Sequence, residues 1–361
     1  MAIKNNKTFP KIKAFGFGGC GCNTIAHLNE VFNQKNIELI AANTDFFSLS
    51  HINAHKKITL GRNICSGLGT GGDTNQGRAA AEESHRILVD EMRSASLIFL
   101  TAGMGGGTGS SAIEIAARIA ASMDIPSISI VSLPFSFESD KRKSIAYEST
   151  IALQKFTNTL VTIPNDKLLS DSNRKLTMKD AFMKADNMHI KYISGLLDLI
   201  TVSDTMHIDL SYILNIFDTG RNAYISTGQG FGAERIFDAI DDAFNTDFME
   251  ENQLLNADQV IIKLTGSVTI EDVSQTIDKL KEKFNNAVHI TPIISPANDS
   301  GNHLSISILF VDIGAAPIAL PSIWSEHVAA CEHSHPLRDE NSHKKEFEDI
   351  LEVPAFLRRE I

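Results

Sequence analysis

Residues 97–111 read LIFLTAGMGGGTGSS. The first five form an apolar run of strand length. Behind them Gly103, Gly105, Gly106, Gly107 and Gly109 crowd together. Residues 110–123 then read as a helix, with Ile113, Ala116, Ala117, Ala120 and Ala121 at helical spacing. A strand, a glycine loop and a helix N-terminus make a seat for an anion: main-chain N–H groups turn inward, and the first helical turn adds unpaired donors and partial positive charge. Thr108 or Ser110 is placed to cap the helix or to offer a hydroxyl to an oxyanion. The plain alternative is a tight turn without a ligand, but glycine costs chain entropy, and a cluster of them calls for a reason. The loop is no P-loop, because Ser110 and Ser111 follow Gly109 where Lys and Ser/Thr would stand. Main-chain amides would hold the phosphate without a lysine.

Two more glycine loops flank this one. Residues 11–17, KIKAFGF, alternate as a strand and run into a G-x-G-x-x-G pattern at Gly16, Gly18 and Gly21, with a helix expected over 23–32. The next strand, 37–42, ends at Asn43, Thr44 and Asp45, and an acid there resembles the opening of a dinucleotide-binding fold. The third loop is 67–72, GLGTGG. A NAD-dependent dehydrogenase would explain the first loop only; three loops at strand ends suggest one nucleotide whose polyphosphate is gripped from several sides.

Strands at 127–132 and 159–163, with helices between, imply a mostly parallel sheet covered on both faces. Residues 180–200 form a long helix whose stripe of Phe182, Ala185, Tyr192, Leu196 and Leu199 is broadened by Ile193, Leu197 and Ile200, as befits a spine between two domains. Beyond it, 210–217 and 233–244 read as helices, and 259–265, 288–294 and 304–311 as strands. Ile270, Val273, Ile277, Leu280 and Phe284 mark a further helix. The expected class is α/β: a disordered N-terminus (1–10), a Rossmann-like parallel-sheet nucleotide domain (11–175), a central helix (176–203), a smaller α+β C-terminal domain (204–313), a flexible linker (314–346) and a tail peptide (347–361).

The net charge of −11 disfavours nucleic acid as a partner. No apolar run is long enough for a membrane-spanning helix, and the basic N-terminus lacks the apolar core of a signal peptide, so a cytoplasmic location is expected. Cys20, Cys22, Cys65 and Cys331 form no disulfide framework, and the Cys20–Cys22 pair lacks a second pair for zinc. His327, Cys331, His333 and His335 lie close together, but polar linkers often carry such residues without consequence, and no metal site is expected.

The GGGTG loop closely resembles the signature of the tubulin and FtsZ superfamily, with Ser111 where the family has a glycine. The resemblance extends over about 11–311 and resumes at the tail. Gly18, Gly19, Cys20 and Gly21 with Asn23 are similar to the family's first loop, Cys20 and Cys22 replacing small residues. Cys20 is thereby expected to put a Cβ where main-chain amides approach phosphate. Asn43, Thr44 and Asp45 match the second loop; Gly69, Thr70, Gly71 and Gly72 resemble the loop near the terminal phosphate, with Thr74 at a usual proline. Pro134 to Glu138 with Arg142 resemble the ribose-contacting segment, and 163–168, which holds Asn165, is a close match. Phe182, Asp186 and Asn187 look like the guanine-reading positions. The resemblance implies GTP or GDP as ligand with Mg²⁺ accompanying it, head-to-tail self-assembly, GTP hydrolysis at the subunit interface and a place in the cell-division ring.

The chemistry of these residues stands independently. A carboxylate such as Asp186 accepts from guanine N1–H and the exocyclic amine, a donor pair that adenine lacks. Phe182 offers a face for stacking, its plain alternative being core packing; for Asp186 the plain alternative is a solvated helix residue.

One stretch departs from the family. Its polar loop carries two aspartates that complete the neighbouring subunit's site and place the attacking water. Here 206–212 read MHIDLSY: Asp209 falls on the first aspartate and is the expected catalytic residue, Tyr212 falls on the second, and His207 on a usual asparagine. A neutral phenol, with a pKa of about 10, neither accepts a proton nor holds a cation well, so slow turnover is expected. A hydrolysis-deficient structural or regulatory paralogue is the alternative. The tail from Glu352 to Arg359, EVPAFLRR, resembles the family's C-terminal peptide, which binds membrane-tethering and regulatory division proteins. A short apolar segment of this kind orders only in a partner's groove.

Overall fold

The computed structural model describes residues 10–31, 37–169, 177–201, 212, 214–215, 221–245, 254–284, 288–296 and 303–311. Every residue of strand β1 (Ile12–Phe17) is buried. Alternate side chains divide between two cores, Ile12 and Ala14 joining one, Phe15 and Phe17 the other. Burial on both sides is what a parallel strand under helices on each face requires. β1 pairs in parallel with β2 (Ile37–Asn43) on one side and β4 (Leu97–Gly103) on the other. With β3 (Lys56–Thr59), β5 (Ser127–Leu133) and β6 (Thr159–Pro164) the order is β3-β2-β1-β4-β5-β6, all parallel.

Beneath the parallel strands, one core takes its helical side chains chiefly from α1 (Gly18–Val31) and, far along the chain, α8 (Met178–Thr201). The other takes them chiefly from α4 (Thr74–Glu83), α5 (His85–Met92), α6 (Gly107–Ser122) and α7 (Asp140–Gln154). Two short helices, α2 (Phe46–Ser50) and α3 (Arg62–Cys65), lie between β2 and α4 in the chain.

β7 (Arg221–Phe231) continues the sheet, joining β6 in parallel through the pairs Thr159–Arg221 and Leu160–Asn222. It then runs antiparallel to β10 (His303–Val311), which pairs with β8 (Gln259–Gly266); β9 (His289–Pro296) forms the far edge. Helices α9 (Arg235–Phe244) and α10 (Ile270–Lys283) belong to this half. The core begun at Ile12 runs past Tyr192 and Leu196 of α8 to Ile225, Leu264 and Phe310. Tyr192 meets Tyr224 edge-on at 5.5 Å, so α8 serves both halves at once.

The structure refines several sequence boundaries. α1 begins at Gly18 and α6 at Gly107, so glycines read as loop belong to the first helical turns. Close approach explains one of them: a Cβ on Gly21 would stand 2.4 Å from the Thr101 carbonyl oxygen. β7 has no counterpart in the sequence reading, because Gly228 and Gly230 interrupt its pattern. A Cβ there would lie 1.9 Å from Ala239 O and 1.8 Å from Arg235 O, so the glycines are what lets α9 lie flat on the strand. Of the helix expected over 210–217, only 212, 214 and 215 are described, and they are helical. His207, Asp209 and all of 312–361, including the His327–His335 cluster and the tail, lie outside the described residues.

Candidate functional site

The strand order reverses between β1 and β4, and in such sheets the crevice beyond the carboxyl ends of those strands receives ligands. A cleft of about 480 Å³ lies there. It gathers Gly18, Gly19, Cys20 and Asn23 from α1; Thr70; Gly103, Gly106, Gly107, Thr108 and Gly109; Glu138 and Arg142; Asn165; and Phe182 and Asp186 from α8. Five expected residues do not line this cleft. Gly21 is packed against β4. Asp45 caps α2, accepting from Ser48 N at 2.9 Å and Ser48 Oγ at 2.7 Å. Gly71 and Gly72 are exposed, and Gly105 turns at φ +95° against the Arg142 main chain. The cleft also holds Pro134, from the segment expected to contact ribose, and Phe17, Met104, Ser132, Leu133 and Ala185, which the sequence reading did not single out as binding residues. For Ser132 and Leu133 the signal was present: they end a parallel strand.

The floor is made of main chain. Gly18 adopts φ +69°, and a Cβ there would meet Gly109 N at 3.0 Å, so the loop at Gly16–Gly21 touches the one at Gly103–Gly109. A Cβ on Gly19 or Gly106 would meet no protein atom within 4 Å, which leaves both faces open to a ligand. Three hydroxyls knit the loops together: Thr108 Oγ1 lies 2.7 Å from Thr44 Oγ1 and 3.4 Å from Thr70 Oγ1. Ser110 Oγ accepts from Gly105 N at 2.9 Å. Asn165, 5 % exposed, carries a buried Oδ1 with no hydrogen-bond partner among the described residues, an acceptor available to a ligand.

The side walls are pre-ordered. Glu138 accepts from Phe135 N at 2.9 Å and pairs with Arg142 at 2.7 Å. Phe182 is 44 % exposed with its ring edge-on to Phe135 at 5.3 Å, so it faces outward rather than into the core. Asp186 Oδ1 accepts from Cys20 Sγ at 3.5 Å, and Ser132 Oγ lies 3.7 Å from the same sulfur. Burial raises the Asp186 carboxyl above its ordinary range, against the opposing Cys20 hydrogen bond and the charge of His27. Burial first, and Asp186 second, push the Cys20 thiol far upward. Cys22 is pushed up to about 12 by burial. Both remain thiols at neutral pH. Cys20 thus turns towards α8, not the phosphate position expected from the sequence.

One turn further along α8, His189 is fully buried with Nδ1 2.7 Å from Thr101 Oγ1. Burial pushes it down to about 3, so the imidazole is neutral. Tyr212 is 39 % exposed, and its hydroxyl lies 3.0 Å from Thr291 Oγ1 on β9. Among the described residues no group of three or more His, Cys, Asp or Glu side chains is placed to hold a metal ion, and no helix is long and apolar enough to cross a membrane.

Comparison with known proteins places this geometry in context. The sequence model described as "Tubulin/FtsZ family, GTPase domain" matches residues 11–173. A cell division protein FtsZ from Coxiella burnetii is 30 % identical, covering 97 % of this chain and 96 % of its own length. One from Neisseria gonorrhoeae is 33 % identical over 74 % of this chain and 68 % of its own. Among solved structures, an empty FtsZ dimer from M. jannaschii is similar at 27 % identity with a TM-score of 0.76, covering 86 % of this chain and 92 % of that one. CetZ2 from Haloferax volcanii, as a GTPγS-bound protofilament, shares the fold at 18 % identity and a TM-score of 0.73, covering 90 % and 99 %.

Proposed function

The chain belongs to the Tubulin/FtsZ family, and from that premise we propose that it is a GTP-binding GTPase of cell division that assembles head to tail into filaments of the division ring. The observation that carries this reading is the convergence of three glycine loops and the Phe182–Asp186 pair on one cleft at the switch point of the sheet. The polyphosphate lies on the amides of the Gly18–Cys20 and Gly106–Gly109 stretches, with Thr108 adding a hydroxyl. Glu138 and Arg142 receive the ribose. Phe182 stacks on the base, and Asp186 accepts its two N–H donors. Mg²⁺ arrives with the nucleotide, bound largely by phosphate oxygens and water.

Hydrolysis takes place between copies: Asp209 of one subunit completes the cleft of the next and orients the water. An open, non-closing contact of this kind generates filaments. Tyr212, standing at a carboxylate position, makes turnover slow; losing one catalytic carboxylate costs about 10²–10⁴-fold. The protein acts in the cytoplasm at the division site, and Glu352–Arg359 docks on membrane-tethering and regulatory division proteins.

Phosphate release per subunit, measured over a range of protein concentrations with sedimentation in parallel, tests this. The expected result is a per-subunit rate that climbs as filaments form. A rate independent of concentration, with protein that stays monomeric in saturating GTP, sinks the proposal. Filaments without phosphate release favour the hydrolysis-deficient reading, to which the Tyr212–Thr291 hydrogen bond lends support. A dinucleotide enzyme finds no support at Asp45, whose carboxylate is engaged in capping α2.

A further inference from the structure

The thiol of Cys20 has no part in the function proposed above, yet it occupies the end of the cleft that reads the base. Its Sγ lies 3.5 Å from Asp186 Oδ1 and 3.7 Å from Ser132 Oγ. Its main-chain carbonyl accepts from Thr24 Oγ1 at 3.2 Å, which fixes the residue in the first turn of α1. The side chain fits only because Gly103 has none: a Cβ there would lie 2.8 Å from Cys20 Cβ. The unpartnered Oδ1 of buried Asn165 lines the same cleft and independently indicates a ligand with donors to give.

We infer that Cys20 is a specificity-determining residue whose thiol competes with the base for Asp186, narrowing the advantage of a base with two N–H donors over a base with one. The inference rests on the reading that Asp186 receives the base. Guanine presents N1–H and an exocyclic amine to a carboxylate; hypoxanthine presents N1–H alone; adenine presents neither donor in that arrangement. An unencumbered carboxylate takes both guanine donors. With Oδ1 already accepting S–H, the second base donor must share that oxygen and gains less. A thiol is a weak donor, so the competition blunts selectivity without abolishing it.

The test measures affinities of GDP, IDP and ADP for the full chain and for Cys20→Ala, Cys20→Gly and Cys20→Ser. Removing the donor in Cys20→Ala raises the GDP-over-IDP preference about fivefold, the size of one modest hydrogen bond. Cys20→Gly removes the same donor and shows the same rise, which secures the result should the alanine variant fold poorly. Cys20→Ser retains a donor, a stronger one, and keeps the wild-type ratio or lowers it. An unchanged ratio in both donor-free variants overturns the inference, as does a rise in Cys20→Ser equal to theirs, which would assign the effect to side-chain size. A wild-type protein that binds ADP as tightly as GDP and IDP overturns instead the base-reading role of Asp186.

Discussion

Asp186 and His189 stand three residues apart on α8, and burial drives both towards neutrality from opposite directions. It raises the Asp186 carboxyl and pushes the His189 imidazole down to about 3. The helix proposed to read the base thereby carries two titrations of opposite sense, one expected to be felt in binding and the other in stability.

The binding titration belongs to Asp186. Only the ionised carboxylate accepts two N–H donors, and its pKa lies above the ordinary range, so guanine-nucleotide affinity falls with falling pH and starts to fall before an exposed carboxylate would protonate. Asp186→Asn loses about 10–100-fold in GDP affinity, leaves ADP binding unchanged and removes this pH dependence. Calorimetric titration of GDP from about pH 7 down to about pH 4.5 checks it, and an Asp186→Asn profile identical to wild type contradicts it.

His189 governs the other. Its folded pKa is depressed, so below about pH 6.5 the unfolded chain takes up a proton that the folded chain refuses. Stability therefore drops as pH falls through the window from about 6.5 to about 3, by about 2 kcal/mol between pH 7 and pH 5. His189→Leu removes this component and leaves the Thr101 hydroxyl without its partner, at a cost of about 1–3 kcal/mol at neutral pH. Urea midpoints at the two pH values decide the matter.

Neighbouring glycines separate folding from binding. A Cβ on Gly107 would meet Thr70 Oγ1 at 2.3 Å and Asp73 N at 2.9 Å, whereas one on Gly106 meets nothing within 4 Å. Gly107→Ala is expected to lower stability by about 1–3 kcal/mol. Gly106→Ala keeps the wild-type melting temperature and weakens nucleotide binding at least tenfold. Thermal melts with and without GDP distinguish the two, and equal behaviour of the variants counts against an open, ligand-facing Gly106.

Tyr212 offers a gain-of-function test. Tyr212→Asp restores a carboxylate and raises GTP turnover under assembly conditions at least tenfold. Tyr212→Phe breaks the hydrogen bond to Thr291 Oγ1, costs about 1 kcal/mol and leaves turnover unchanged. Phosphate-release assays on both variants, at matched filament mass, give the answer.

The parallel half of the fold was legible because its strands are buried on both faces and its glycine loops are dense, two signals that survive without tertiary information. β7 was not, because Gly228 and Gly230 are selected by the underside of α9, a contact formed only once the chain has folded back. The short helices α2 and α3 hold too few residues to show a period. Within the cleft, residue types were readable and directions were not. Cys20 lies in the first turn of a helix that starts at Gly18 and packs over Gly103 with its thiol on Asp186, and His189 was hidden by its apolar neighbours on α8.

A cradle composed of amides at Gly19 and Gly106 has an evolutionary corollary. Point substitution supplies no graded adjustment there, since any replacement adds atoms to the space the ligand needs. Any change in ligand choice is consequently channelled to the few lining positions with side chains to exchange, Cys20, Glu138 and Asp186 among them.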